Sequence, residues 1–324
     1  SDAVKLDGMT IFVTGDLDAA ALLSWQQQLA LHLPDEQISA RREDLDPADV
    51  DVEVVANPTR GALAGLTGLR LIQSVWAGVD RLLADASVPT TVPLARMVDP
   101  AMTAAMVETG IWAVLSLHRG FFAYARQQRA VQWKLLPQRR ADECRVLILG
   151  LGELGRALAQ QLLALGYAVS AWRAHATVDA SAELPSLRLH AGPGDWRTAL
   201  AAADVVVNLL PLTPSTRGLL DERCFEVLPP GAALVNLARG GHVVEADLLR
   251  ALDRGHLAHA VLDVFSHEPL PADHPFWSHP GVTVLPHAAA QTDLRSAVHQ
   301  VALNVRALRA GAPLRHLVSR ERGY

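Results

Sequence analysis

Three short segments each put a charged or titratable residue just past an apolar run. They are Asn236-Leu237-Ala238-Arg239-Gly240-Gly241, Leu262-Asp263-Val264-Phe265-Ser266-His267-Glu268-Pro269-Leu270 and Leu285-Pro286-His287-Ala288-Ala289. The guanidinium of Arg239 is a rigid fork suited to a carboxylate or a keto oxygen. His287 titrates near neutrality, and a neighbouring Glu268 would favour the imidazolium that can give a proton to a ketone. Taken singly, each residue also has a plain explanation. Strand ends are often polar, and the chain has 13 histidines.

A fourth segment, residues 145–166, supplies the frame. The apolar run 146–149 has the composition of a strand buried on both faces and leads into Gly150, Gly152 and Gly155. Leu154, Leu158, Leu162 and Leu165 then recur at helical spacing until Gly166. Strand, Gly-x-Gly-x-x-Gly and helix together form a dinucleotide-binding fingerprint. Gly150 permits the tight turn, Gly152 the approach of a pyrophosphate, and Gly155 the packing of helix on strand, while the helix N-terminus faces the phosphates.

The elements that must position these residues follow in order. Residues 10–13, 50–56 and 69–75 are strand candidates, 19–33 is an amphipathic helix, and 77–80 opens another. At Val75-Trp76-Ala77-Gly78-Val79-Asp80, small residues at a strand-to-helix turn expose amides that either hold a carboxylate or form an ordinary turn. Asp99 and Pro100 cap and start a long apolar helix over 101–129, whose face needs a cover from a second lobe, another subunit or both. Further strands are expected at 168–172, 205–210, 232–237, 258–264 and 282–285, with a helix at 245–253. A last helix, with Leu294, Ala297, Val298, Val301, Val305 and Leu308 on one face, returns to the first lobe. This alternation predicts an α/β protein with parallel, doubly wound sheets and ligands outside the carboxyl ends of the strands.

Composition narrows the classes. With 324 residues, 50% hydrophobic and 19% charged, the chain can form two lobes with sizeable cores. A net charge of -5 gives no general attraction to nucleic acid or anionic membranes. No uncharged apolar run reaches about eighteen residues, so a soluble, cytoplasmic protein is expected. Cys144 and Cys224 read as structural thiols, and no spacing suits a metal. About twenty residues past the first glycine, where NAD-binding units carry an acid, the chain reads Ser170-Ala171-Trp172-Arg173-Ala174-His175. Arg173, helped by His175, favours the 2′-phosphate of NADP(H) over NAD(H); Trp172 could simply pack beside the adenine.

The wording and order of these segments resemble the D-isomer-specific 2-hydroxyacid dehydrogenase family. The glycine fingerprint, Leu209-Leu210-Pro211-Leu212-Thr213-Pro214, Asn-x-Ala-Arg-Gly at 236–240, Asp-Val-Phe-x-x-Glu-Pro-Leu at 263–270 and Pro286-His287 occur in the family's order. Among its members the chain is most similar to the short, NADPH-preferring glyoxylate/hydroxypyruvate reductases of bacteria. The stretches at 228–232 and 243–249 and the short step from Glu268 to His287 point there.

The resemblance implies a Rossmann-type dinucleotide domain over 99–287. It also implies a smaller flavodoxin-like substrate domain formed by 1–98 and 288–324. It makes Arg239, Glu268 and His287 the catalytic set, with Trp76, Ala77 and Gly78 at the substrate. It assigns the cofactor to Gly150, Gly152, Glu153, Leu154, Gly155, Trp172, Arg173, Leu210, Pro211, Thr216, Ala238 and Asp263, the last toward the nicotinamide carboxamide. A homodimer through the middle helices is implied, and a small 2-oxo or 2-hydroxy acid lies between lobes that close. Trp76 is bulkier than the glycine of many members and either narrows the pocket or packs at the hinge. Glu268 argues against formate oxidation, for which relatives carry Gln. Another 2-hydroxyacid specificity and a non-catalytic NAD(P) sensor are the alternatives.

Overall fold

Two parallel sheets, each with its own core, organise the chain in a computed structural model that describes residues 9–174 and 184–324. The division falls at 102/103 and 291/292, giving one unit of Ser1–Met102 with Thr292–Tyr324 and a second of Thr103–Gln291. Both cuts lie slightly later in the chain than the 98/99 and 287/288 expected from the sequence.

In the first unit the strands are β1 (Thr10–Gly15), β2 (Gln37–Ser39), β3 (Val50–Ala56), β4 (Leu71–Ser74) and β5 (Leu94–Ala95), all parallel in the order β2-β1-β3-β4-β5. That order is the flavodoxin-like doubly wound one. Helix α1 (Ala19–His32) is capped by Asp18, which accepts the Ala21 amide at 2.7 Å. The helix expected to open at 77–80 is α2 (Asp80–Leu83), a single turn. β2 and β5 have three and two residues, too short to carry a periodic pattern, and neither was foreseen.

Helix α3 (Pro100–His118) begins after Asp99, whose Oδ2 accepts the Met102 amide at 3.2 Å as the capping pattern predicts. By length and composition alone α3 could cross a membrane, but its Ala113 and Val114 are fully buried against the second sheet. The single helix expected over 101–129 is interrupted. Gly120 adopts φ 72, and α4 (Phe121–Arg129) starts anew. The left-handed residue directs the chain away from the α3 axis.

The second unit continues through β6 (Arg145–Leu149), α5 (Glu153–Ala164), β7 (Ala168–Arg173), β8 (Arg188–Ala191), α6 (Gly192–Ala201), β9 (Val205–Asn208) and α7 (Glu222–Val227). Then come β10 (Ala232–Asn236), α8 (Glu245–Asp253), β11 (Leu257–Leu262) and β12 (Val282–Val284). Its strand order, β12-β11-β10-β9-β6-β7-β8, is all parallel and reverses between β6 and β9. Ligands of such sheets bind at this switch point, outside the carboxyl ends. Val146, Leu147, Ile148 and Leu149 are fully buried, as are Val206, Val207, Leu234 and Val235 on the neighbouring strands, so both faces of the sheet are covered. Helix α9 (Leu294–Arg309) closes the first unit. There Arg309 donates to Glu36 at 2.7 Å and pairs with Asp51, tying α9 to the amino ends of β2 and β3.

Candidate active site

The glycine turn after β6 has the geometry that its sequence requires. Gly150 sits at φ 95, a left-handed position where a side chain would be strained, and its amide donates to Trp172 O at 2.9 Å. A Cβ on Gly155 would lie 1.9 Å from Gly150 O, so only glycine lets α5 approach β6. A Cβ on Gly152 would meet nothing within 4 Å, and Gly152 caps α5 without a side-chain hydrogen bond. This open cradle at a helix N-terminus suits a pyrophosphate. Arg173 ends β7, and no carboxylate occurs among residues 170–174. The donor set therefore fits a dinucleotide carrying a 2′-phosphate. His175 lies outside the described residues.

Two residues expected along the cofactor turn their side chains into the core. The side chain of Trp172 is buried at 5% exposure in the core, its Nε1 donating to Gly192 O at 2.9 Å and its ring edge-on to Trp196. Leu210 is likewise packed in that core. Trp172 lies in β7 and Leu210 two residues past β9, and both side chains pack inward beneath the site. Thr216 is buried and spends its hydroxyl on the loop itself, donating to Pro211 O at 2.8 Å.

At the ends of β9 and β10 stands a pair that the sequence reading missed. Asn208 and Asn236 are fully buried, and Asn208 Nδ2 donates to Asn236 Oδ1 at 3.0 Å. Asn236 in turn donates to Arg239 O at 3.0 Å and accepts the Ala238 amide at 3.3 Å. An asparagine closing each of two consecutive apolar runs was the available signal. The backbone carrying Arg239 is thus held from below. From the other side the turn presses on the β11 loop, since a Cβ on Gly240 would fall 1.8 Å from the carbonyl carbon of Phe265. Arg239 itself is half-buried and donates to Ala238 O at 2.8 Å.

Past β11 and β12 the chain brings the acid and base together. His287 Nδ1 lies 2.8 Å from Glu268 Oε2, while Glu268 Oε1 accepts the Phe265 amide at 2.9 Å. With Nδ1–H donating to the carboxylate, Nε2 is the nitrogen left for chemistry. The Glu268 hydrogen bond holds the His287 pKa above the ordinary imidazole value, against burial and the nearby Arg239 charge. Burial alone would raise the Glu268 carboxyl, but the bonds from His287 and the Phe265 amide bring it below its usual range. The imidazole is half-exposed, with a side-chain exposure of 52%, and can be reached by a small molecule.

Asp263 has a role that the motif did not foretell. Its buried carboxylate accepts the Ala288 amide at 2.7 Å and the Ala289 amide at 3.1 Å, and its carbonyl accepts the His287 amide at 2.9 Å. Burial raises its pKa against those two bonds. These contacts hold His287 at φ 54, an uncommon backbone conformation for a residue with a side chain. Beside this loop a hollow of about 360 Å³ is lined by Glu108, Thr109, Trp112, Leu285, Ala288 and Ala289.

Trp76, Ala77 and Gly78 lie in the first unit after β4. There Met97 donates to Trp76 O at 3.0 Å, and Trp76 Nε1 is buried with no hydrogen-bond partner among the described residues. Cys144 and Cys224 are buried thiols, Cys144 pushed up to about 11 by burial. Among the described residues no three His, Cys, Asp or Glu side chains are grouped to hold a metal.

Comparison with known proteins places this geometry. The chain is 39% identical over 292 residues to glyoxylate/hydroxypyruvate reductase A of Serratia proteamaculans, covering 89% of this chain and 91% of that protein. A crystal structure of a D-isomer-specific 2-hydroxyacid dehydrogenase from Xanthobacter autotrophicus, in complex with NADPH and MES, superposes with a TM-score of 0.90 at 36% identity, covering 98% of this chain and 99% of that one. The NADPH-dependent glyoxylate/hydroxypyruvate reductase of Sinorhizobium meliloti, solved with NADP and sulfate, gives 0.88 at 31% identity, covering 98% of this chain and 100% of that one. The model for the NAD-binding domain of D-isomer-specific 2-hydroxyacid dehydrogenases matches residues 111–289, from within α3 to just past His287. That span holds the whole nucleotide sheet and the His287–Glu268 contact, and with it the chain belongs to the D-isomer-specific 2-hydroxyacid dehydrogenase family.

Proposed function

We propose that this chain reduces small 2-oxo acids, glyoxylate and hydroxypyruvate, to the corresponding D-2-hydroxy acids with NADPH. The observation that carries this reading is the 2.8 Å contact between His287 Nδ1 and Glu268, within electrostatic reach of Arg239 at the carboxyl ends of the nucleotide sheet. The bound nicotinamide supplies the hydride. Gly150, Gly152 and Gly155 receive the pyrophosphate, and Arg173 takes the 2′-phosphate. Arg239 binds the substrate carboxylate and polarises the carbonyl, giving a fixed positive charge where negative charge develops. His287 Nε2 gives its proton to the carbonyl oxygen as the hydride arrives at carbon, so ketone becomes hydroxyl and the neutral imidazole remains bonded to Glu268. The reductase and NADPH-bound relatives support both substrate class and cofactor.

The protein acts as a homodimer in the cytoplasm on this reading. Phe121, Val131, Trp133 and Leu135 are 55%, 93%, 100% and 84% exposed along and beyond α4, an apolar stretch suited to burial against a second copy. Sedimentation velocity checks the dimer; a monomer at micromolar concentration removes it. The activity is tested by initial rates with glyoxylate and hydroxypyruvate, each with NADPH and NADH at equal concentration. Fast oxidation of NADPH is expected. Protein that binds NADPH but turns over neither acid sinks the reading.

A further inference from the structure

His242 follows Arg239 by three positions, is fully buried, and lies in the turn after β10. Its two ring nitrogens face two different loops. Nδ1 stands 3.0 Å from Arg239 O, and Nε2 stands 3.2 Å from Pro211 O. The first carbonyl belongs to the residue proposed to bind the substrate carboxylate. The second belongs to the loop after β9, at the switch point of the sheet. Carbonyl oxygens only accept and a neutral imidazole carries one N–H, so the ring donates to one of the two carbonyls as the neutral form and to both at once only as the imidazolium.

The surroundings treat these two carbonyls as anchor points. Arg239 O also accepts from Asn236 Nδ2 at 3.0 Å, and Pro211 O also accepts from Thr216 Oγ1 at 2.8 Å. Thr216 Oγ1 accepts the Thr213 amide at 2.8 Å, which folds the β9 loop onto itself. The His242 backbone is pinned as well, its carbonyl accepting the Leu220 amide at 2.9 Å, while Gly241 O accepts the Gly218 amide at 2.9 Å. The imidazole is therefore the side chain that spans from the arginine turn to the β9 loop, with each end arriving at a carbonyl already held by a neighbour.

We propose that His242 is a positioning residue that couples the two halves of the site. Its Nδ1 sets the backbone that aims Arg239, and its Nε2 sets the loop that borders the cofactor. The inference rests on the function proposed above. It adds that substrate and cofactor contacts are mechanically joined through one buried ring that touches neither ligand.

Amide side chains separate the two arms. Asparagine puts a donor near the position of Nδ1, and glutamine puts one near the position of Nε2. His242→Asn is expected to keep the glyoxylate KM close to the wild-type value and to weaken NADPH binding about three- to tenfold, the worth of one hydrogen bond. His242→Gln is expected to do the reverse, with near-native NADPH binding and a glyoxylate KM raised by a similar factor. His242→Ala should lose both. NADPH dissociation constants are read by nicotinamide fluorescence without turnover, and melting temperatures are measured alongside. Asparagine and glutamine variants that cannot be told apart, or an alanine variant that melts earlier but keeps both native values, overturn the inference. Wild-type protein that binds NADPH but reduces neither acid overturns the proposed function instead, and the fluorescence comparison of the two amide variants still decides the cofactor arm.

Discussion

His287 and Glu268 are brought to 2.8 Å across the ends of β11 and β12, and that contact decides which imidazole nitrogen is available and at what pH it holds a proton. Because Glu268 raises the His287 pKa, the imidazolium persists to higher pH than a free histidine. Reduction requires that protonated form, so kcat/KM should fall as pH rises through the raised value. Glu268→Gln removes the raising charge, and the descending limb should move to lower pH, with turnover reduced about a hundredfold or more. A pH–rate profile of the variant that overlays the wild type would refute the pairing.

Gly152 and Gly240 should respond oppositely to the same added methyl. Gly152→Ala meets open space, so stability should change by less than about 1 kcal/mol while NADPH binding is lost. Gly240→Ala drives a Cβ into the Phe265 backbone and should cost about 2–3 kcal/mol or prevent folding. Urea denaturation and fluorescence titration on both variants check the contrast; equal stability losses contradict it.

Arg173 ends β7 where the sequence offers no acid. Arg173→Ala should raise the KM for NADPH about tenfold or more and change that for NADH little, since a charge-assisted contact to phosphate is worth roughly 1.5–3 kcal/mol. Parallel changes with the two cofactors would remove Arg173 from the choice between them.

Glu53 lies fully buried in β3, both carboxyl oxygens have no hydrogen-bond partner among the described residues, and burial pushes its pKa up to about 8 from 4.5. The folded protein then holds a proton that the unfolded chain releases. The stability tied to this group is complete below about 4.5 and is lost as pH rises toward 8. Glu53→Gln should flatten that loss, read as the difference in urea midpoint between the two proteins from pH 5 to 9. Identical slopes would mean that Glu53 is not the group responsible.

Much of the fold was legible because it is local. The valine-rich run of β3 (Val50–Ala56), the helix Glu245–Asp253 and the Asp99 cap of α3 were all readable from residues within one or two turns of each other. The glycine fingerprint was legible for the same reason, since each glycine answers a constraint set a few residues away. Sequence by itself thus determined the doubly wound class and the switch-point turn, and it marked Arg239, Glu268 and His287 as candidates.

Tertiary structure alone decided what these side chains touch. β2 and β5 form only by pairing with longer neighbours, and Trp172, expected at a cofactor, packs in the core because the pleat of β7 turns it inward. Asp263 spends its carboxylate on the loop of His287, and Asn208 meets Asn236 across adjacent strands. His242 reaches a carbonyl 31 positions earlier in the chain. Such contacts join residues far apart in sequence, and no periodicity records them; they exist only once the sheet has set the ends of its strands side by side.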